Sequence, residues 1–190
     1  TLMKMLNGLY EPTSGEIYYK DKSIKIDTPS IAAKIGIGMV YQHFMLIDTL
    51  TVAENMVLGF EPKTFGVFRK GKAKQDVREV AEKYGLNIDP SSKVGDLSVG
   101  IQQRIEILKI LFKGAELLIF DEPSAVLTPQ EVKELYQIMR NLVKEGKTII
   151  FITHKLQEVL DVSDNITVIR KGKNVGEIAT KDATKEVIAN

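Results

Sequence analysis

Two carboxylates stand side by side at Asp121 and Glu122, directly after the apolar run Leu117, Leu118, Ile119 and Phe120 and directly before Pro123. Such a run reads as a buried strand, and in a parallel sheet the C-terminal ends of the strands form the crevice where ligands bind. Neighbouring residues on an extended segment point in different directions, so the two acids suit separate tasks, one holding a hydrated Mg²⁺ and the other polarising a water. Acids are equally common where a strand end simply meets solvent, and this stretch alone leaves both readings open. A second apolar strand, "TIIFITH", ends in His154, one of two histidines in the chain. An imidazole at that position can hydrogen-bond a phosphate oxygen. Its coincidence with the acids favours the functional reading of all three.

A third group of residues lies in "LSVGIQQRIEILKILF". Ser98 is a good N-cap, and Ile101, Ile105, Leu108 and Phe112 fall on one helical face, leaving Gln102, Gln103, Arg104 and Lys109 for the polar face. Ser98, Gly100 and the free N–H groups of the first turn could form an anion site, because unpaired donors and the helix dipole both favour phosphate. Ser98 serves equally well as a plain cap.

The elements that must position these residues can be read from the pattern of the chain. From Leu97 onward it alternates helix and strand: "VGIQQRIEILKILF", "ELLIF", "PQEVKELYQIMRNLVKE", "KTIIFIT", "KLQEVLDV", "NITVIR". Strands separated by helices call for a parallel sheet with helices on its faces. Upstream, an apolar helical stripe (Leu2, Met5, Leu6, Leu9) precedes a turn with Pro12 and Gly15 and a short hairpin running to Ile24 and Ile26. "TPSIAAKIG" reads as a helix capped by Thr28 with Pro29 at its first position, followed by a strand ending at Gln42. "TVAENMVLG" and "KAKQDVREVAEKYG" are two helices separated by a linker at 60–72, and they form a helical insert. The C-terminal "KGKNVGEIATKDATKEVIAN" is a turn, a strand and a short helix at an edge. Internal repeats, low-complexity tracts and sustained heptads are absent from the sequence.

Composition sets the outer limits. The 190 residues, 44% hydrophobic and 27% charged, suffice for one soluble domain with a sizeable core. A net charge of +1 provides no global basic field of the kind that makes nucleic acid the default partner. Without cysteine the chain has no disulfide, thiol nucleophile or thiolate-held metal. It opens on "TLMKMLNGLY", with no initiator methionine or polar lead-in, as a helix already in progress. The expectation is a fragment whose start lies upstream.

"LSVGIQQR", then "LLIFDEP", then "FITH", with a strand-end Gln42 before them, resembles the ATP-binding subunit of an ABC transporter over essentially the whole chain. The resemblance implies a P-loop NTPase-like α/β fold, with a mostly parallel sheet flanked by helices, a small antiparallel part and a helical subdomain at approximately 43–113, within one incomplete nucleotide-binding domain spanning 1–190. It implies ATP and Mg²⁺ as ligands. By position, Asp121 holds Mg²⁺ through water, Glu122 is the general base, His154 is the switch histidine, and Gln42 senses the γ-phosphate beside the metal. Ser98 and Gly100 belong to a signature loop that closes on ATP held by a second nucleotide-binding domain, with Gln102 as a further nucleotide contact. Thr1 is the last residue of the phosphate-loop motif.

Three departures from the family pattern stand out. The usual "LSGGQ" is "LSVGI", so Val99 replaces a glycine and Ile101 a glutamine. The usual aspartate after the paired acids is Thr128, which "TPQE" explains as a capping box with Pro129 at the first helical position and Glu131 reaching back. The phosphate loop G-x-x-x-x-G-K-[ST] occurs nowhere in the sequence, so the 190 residues alone are expected neither to bind nor to hydrolyse MgATP. Within the family, "VYQHFMLIDTLTVAENMVLGFEP" is most similar to subunits serving nucleoside and simple-sugar importers, with residues 43–46 favouring nucleosides. The partners implied are a second nucleotide-binding domain in tandem, permease subunits that the apolar loop 43–49 would contact, and indirectly a substrate-binding protein, at the cytoplasmic face of the membrane and without nucleic acid. The alternative is a soluble ABC-type ATPase acting on ribosome or DNA, which would carry a longer insertion or a charged arm than the interval from Gln42 to Ser98 offers.

Overall fold

The computed structural model describes residues 1–189 except 43, 59–62, 65–66 and 69, with the backbone alone at 63–64, 67–68, 70 and 189. His43 and six positions of the expected 60–72 linker therefore lie outside the described residues. The chain divides into two compact units, Thr1–Ile150 and Phe151–Asn190.

The first unit opens with α1 (Leu2–Leu6) and the hairpin β1 (Ile17–Tyr19) and β2 (Lys22–Ile24). Lys20 and Asp21 turn this hairpin with φ of 51° and 61°, the double left-handed conformation whose twist matches that of the flanking strands. Next come α2 (Pro29–Lys34) and β3 (Ile37–Val40). As the sequence predicts, Thr28 caps α2, its hydroxyl accepting from the Ile31 N–H at 3.3 Å. Strand β3 ends two residues before Gln42. α3 (Val52–Val57) starts on a complete capping box between Thr51 and Glu54. After the two-residue strands β4 (Lys63–Thr64) and β5 (Val67–Phe68) comes α4 (Lys70–Lys83), which buries Ala73, Val77 and Ala81 at four-residue spacing.

The order then becomes α5 (Val99–Phe112), β6 (Leu117–Asp121), α6 (Pro129–Lys144) and β7 (Thr148–Ile152). The sheet order is β3-β6-β7, with β3 and β6 parallel and Val40 opposite Phe120. Leu118, Ile119 and Phe120 are fully buried, so β6 is the centre of the core. Helix α5 and the turn after it lie so close to β3 that a Cβ on Gly38 would sit 2.8 Å from Cβ of Ile110 and 3.1 Å from that of Ala115.

The sequence assigns α5 one apolar and one polar face, and the structure departs from this. Gln103 and Glu106 are 2% and 3% exposed, and α5 packs against β3, α3 and α4 together. A helix covered on several sides keeps only a narrow solvent stripe, shared here by Gln102, Arg104 and Lys109, which remain partly exposed while Gln103 does not. Gln103 Nε2 has no hydrogen-bond partner among the described residues.

The second unit holds the end of β7, then α7 (Leu156–Val162), β8 (Asn165–Arg170), β9 (Lys173–Ala179) and α8 (Lys185–Ala189). The alternation of helix and strand places "NITVIR" in a parallel sheet, but β8 pairs antiparallel with β9. Its loop explains the difference, because Lys171 and Gly172 have φ of 51° and 76°, as a tight hairpin turn requires. Among the described residues no helix is long and apolar enough to cross a membrane.

Gly38 provides a test in which two effects oppose each other. Replacing a strand glycine by alanine ordinarily stabilises by about 0.5–1 kcal/mol through chain entropy, whereas overpacking a tight contact costs about 1–3 kcal/mol. With backbone-borne Cβ atoms at 2.8 and 3.1 Å, packing should dominate, so Gly38→Ala should lower the urea midpoint. A raised midpoint would show that α5 yields without cost.

Candidate functional site

Parallel register brings three of the sequence-derived residues to one edge of the first unit. Because Val40 lies opposite Phe120, Asp121 follows at the end of β6 while Tyr41 and Gln42 leave the end of β3 beside it. Asp121 and Glu122 are half-buried and Gln42 is exposed. Glu122 takes φ of 48°. A left-handed conformation at a residue with a long side chain costs of order 1–3 kcal/mol and is retained where the surroundings impose it. It breaks the strand at Glu122 and separates the direction of its carboxylate from that of Asp121. The two acids are thus divided by backbone conformation as well as by alternation.

Thr1 is exposed and stands just before α1, with no side-chain capping bond. The other end of that helix is moored by Asn7, buried to 6% exposure, whose amide donates to the Tyr41 hydroxyl next to Gln42. Burial pushes the Tyr41 phenol up, and the Asn7 bond partly offsets it.

The N-terminus of α5 is occupied by groups of the chain itself. Ser98 caps it, accepting from the Ile101 N–H at 3.4 Å. The Gly100 N–H donates to Glu131 Oε1 at 3.1 Å, and a Cβ at Gly100 would fall 2.4 Å from that oxygen. Glycine is therefore required there for the carboxylate to approach. The other oxygen of Glu131 completes the capping box of α6, accepting from the Thr128 N–H and hydroxyl, both at 2.9 Å. One carboxylate thus bridges two helix N-termini, where negative charge is favoured. The Thr128 N–H and hydroxyl hold Glu131 below the usual glutamate range against the opposing effect of burial, with smaller help from the Gly100 N–H and nearby Arg104. Arg104 also pairs with Glu134, a second link from α5 to α6. Gln102 directs its amide N–H group backwards, to the carbonyls of Leu97 at 3.0 Å and Val94 at 3.3 Å, and so braces the turn before the helix.

In the second unit, His154 is exposed on the bend after β7. Beside it the Lys155 N–H donates to Thr153 Oγ1 at 3.1 Å, and Thr153 Oγ1 donates to Glu158 Oε2 at 3.1 Å. Glu158, 8% exposed, also pairs with Lys155 at 3.0 Å. These contacts fix the bend that carries the imidazole.

Sequence reasoning finds the capping box at Thr128 and Glu131 but not the bond from Glu131 to Gly100, thirty-one residues away. The only signal was a small residue in the first turn of α5, which is equally consistent with a ligand approaching there.

A parallel strand ending in paired acids, followed by a capped helix that reaches back to a Ser-x-Gly turn, defines a class. The profile of the ABC transporter family matches residues 1–125, and the chain belongs to that family. It is 55% identical over all 190 residues to the nucleoside import ATP-binding protein NupA of Lactococcus lactis subsp. cremoris and, at the same identity, to the guanosine import ATP-binding protein NupO of Bacillus subtilis. The chain spans 37% of the length of each. Among solved structures, it resembles a nucleotide-free ATP-binding cassette from an ABC transporter, with a TM-score of 0.85 at 22% identity, covering all of this chain and 79% of that one. The similarity to cbiO1 of Clostridium perfringens gives a TM-score of 0.78 at 27% identity over 99% of this chain and 73% of that one. The expected ABC-type α/β fold is thereby established.

The lowered pKa of Glu131 has a signed consequence. An acid whose folded pKa lies below its unfolded value contributes stability above the unfolded pKa and loses it as pH falls through the folded one. Glu131→Gln can still fill the capping box with its one oxygen, but it carries no charge and turns an NH2 donor to Gly100, a loss that does not depend on pH. The melting temperature should therefore be higher for the native chain at pH 6, with the gap narrowing as pH falls below the ordinary glutamate value of 4.5. A gap that stays constant to pH 3 would show that the charge on Glu131 contributes nothing.

Proposed function

We propose that this chain is part of the ATP-binding and ATP-hydrolysing subunit that powers an ABC importer for nucleosides. The observation that carries the reading is the Asp121–Glu122 pair at the end of the fully buried strand β6, beside the end of β3, in a chain of this family. The 55% identity with two proteins named for nucleoside and guanosine import supports the substrate class. Relatives named for glucose and ribose import are 45% and 40% identical, so simple sugars are the second reading.

Under this proposal residues 1–190 are a single, incomplete nucleotide-binding domain whose helical subdomain covers approximately 43–113. The subunit sits on the cytoplasmic face of the membrane against permease subunits, which the apolar loop 43–49 touches, and a substrate-binding protein acts on the other side. A second nucleotide-binding domain follows in the same longer chain. ATP bound by one domain is closed over by Ser98 and Gly100 of the other, so Gly100 must exchange its bond to Glu131 for the nucleotide.

Asp121 and Gln42 supply hard oxygen donors at the C-terminal ends of adjacent strands, which suits a cation that draws its other ligands from water and phosphate. Among the described residues no group of three or more His, Cys, Asp or Glu side chains gathers as an all-protein cage. Neutralising the phosphate charge is what Mg²⁺ contributes when bound. Glu122 accepts the proton of the attacking water as its oxygen bonds to the γ-phosphorus, while the bond to the bridging oxygen breaks and ADP departs with the electron pair. His154 donates to a phosphate oxygen, and Thr1 lies at the end of the phosphate loop.

In the full-length subunit, Glu122→Gln should slow single-turnover hydrolysis by about 10²–10⁴ while MgATP affinity is kept. Asp121→Asn should weaken MgATP binding as well. Equal affinity losses in both variants, or near-normal turnover in Glu122→Gln, would overturn this division of labour. The substrate class is tested in proteoliposomes holding the whole importer. ATP-dependent uptake of labelled guanosine is expected, and uptake of ribose without uptake of guanosine would transfer the assignment to sugars.

A further inference from the structure

The segment after β3 is held by side chains in the way a strand is held by its neighbour. Residues 44–47 belong to no strand, yet both backbone groups of Met45 and of Ile47 are bonded. The Met45 N–H donates to Glu106 Oε1 at 2.7 Å, and the Met45 carbonyl accepts from Lys109 Nζ at 2.7 Å. The Ile47 N–H donates to Asn55 Oδ1 at 2.8 Å, and its carbonyl accepts from Asn55 Nδ2 at 3.0 Å. Alternate residues are thus clamped, one by α5 and one by α3. Their side chains stand outward, Met45 63% and Ile47 42% exposed, whereas Phe44 and Leu46 are half-buried.

This arrangement is costly. Glu106 and Asn55 are 3% and 2% exposed, and a buried polar group must find partners or destabilise the fold. Burial pushes the Glu106 carboxyl up, while Lys109, the Met45 N–H and Lys113 draw it back. A loop that merely connects β3 to α3 would leave its peptide groups to water. Here a buried carboxyl and a buried amide fix two exposed apolar residues.

We infer that Glu106, Lys109 and Asn55 are positioning residues that hold Met45 and Ile47 as a preorganised apolar contact for a permease subunit. The inference rests on the reading that loop 43–49 meets a permease subunit. Preorganisation saves the ordering entropy a free loop would lose on contact. Asn is suited to its place because one side chain both donates to and accepts from one residue's backbone. Glu106 and Lys109, one helical turn apart on α5, divide the same two tasks.

The test has two independent arms. In residue-resolved hydrogen exchange on the full-length subunit, the Met45 and Ile47 amides should exchange at least tenfold more slowly than unprotected loop amides. Glu106→Leu should release Met45 alone and Asn55→Leu should release Ile47 alone. In the assembled importer, both variants, and Lys109→Met at the partly exposed end of the clamp, should lose several-fold of the change in ATP hydrolysis that assembly with the permease produces. Hydrolysis by the subunit without permease should stay within about twofold of the native rate, since these residues lie outside the acid pair. Unprotected amides in the native protein would overturn the clamp. Variants that free the amides yet respond fully to the permease would overturn its role. A native subunit that hydrolyses no ATP would instead defeat the functional reading and leave the exchange result standing. Lys109→Met keeps the test usable if either buried replacement fails to fold.

Discussion

A buried helix that carries polar groups must find partners for them, and most of this site depends on how α5 does so. Gly38 lets it sink against β3, which leaves Gln103 and Glu106 without water. Glu106, unable to face solvent, is bonded instead to neighbouring backbone, gripping Met45 together with Lys109. At the N-terminus of the helix the same demand is met from outside, by Glu131 of α6. Because α5 touches the segment after β3 at one point and the start of α6 at another, neither region can shift without consequence for it.

The acid pair depends on a different constraint. Fully buried neighbours in β6 fix where the strand ends, and the left-handed backbone of Glu122 fixes how it ends. Hydrophobic burial thereby sets the position of two charged groups that contribute little to the core themselves. Strain at one residue is small beside the burial of three apolar side chains, so the fold can sustain it.

Much of this was legible in the sequence. The run from Leu117 to Phe120 forms a strand that ends at Asp121, Ser98 and Thr128 cap the helices they were expected to cap, and "TPQE" forms the reciprocal box. Local chemistry suffices for these, since each depends on residues within one turn. The features that were not legible depend on covering. The helical periodicity of α5 assigns Gln103 to water because it cannot register that α3, α4 and β3 all pack on one helix. Strand β8 departs from the parallel sheet that alternation with helices predicts, because the Lys171–Gly172 turn returns the chain directly into β9. The bond between Gly100 and Glu131 joins residues thirty-one positions apart, and a small residue in the first turn of α5 does not say what approaches it.

That bond makes spacing itself a structural quantity. Glu131 reaches Thr128 and Gly100 from one rotational setting on α6, and each residue added to a helix rotates the remainder of that helix by about 100°. Inserting one residue between Thr128 and Glu131 would swing the carboxylate away from both partners, opening the cap of α6 and freeing an amide on a helix it does not adjoin in sequence. The first turn of α6 is thus far less tolerant of length change than a surface loop usually is, although nothing in its composition announces this.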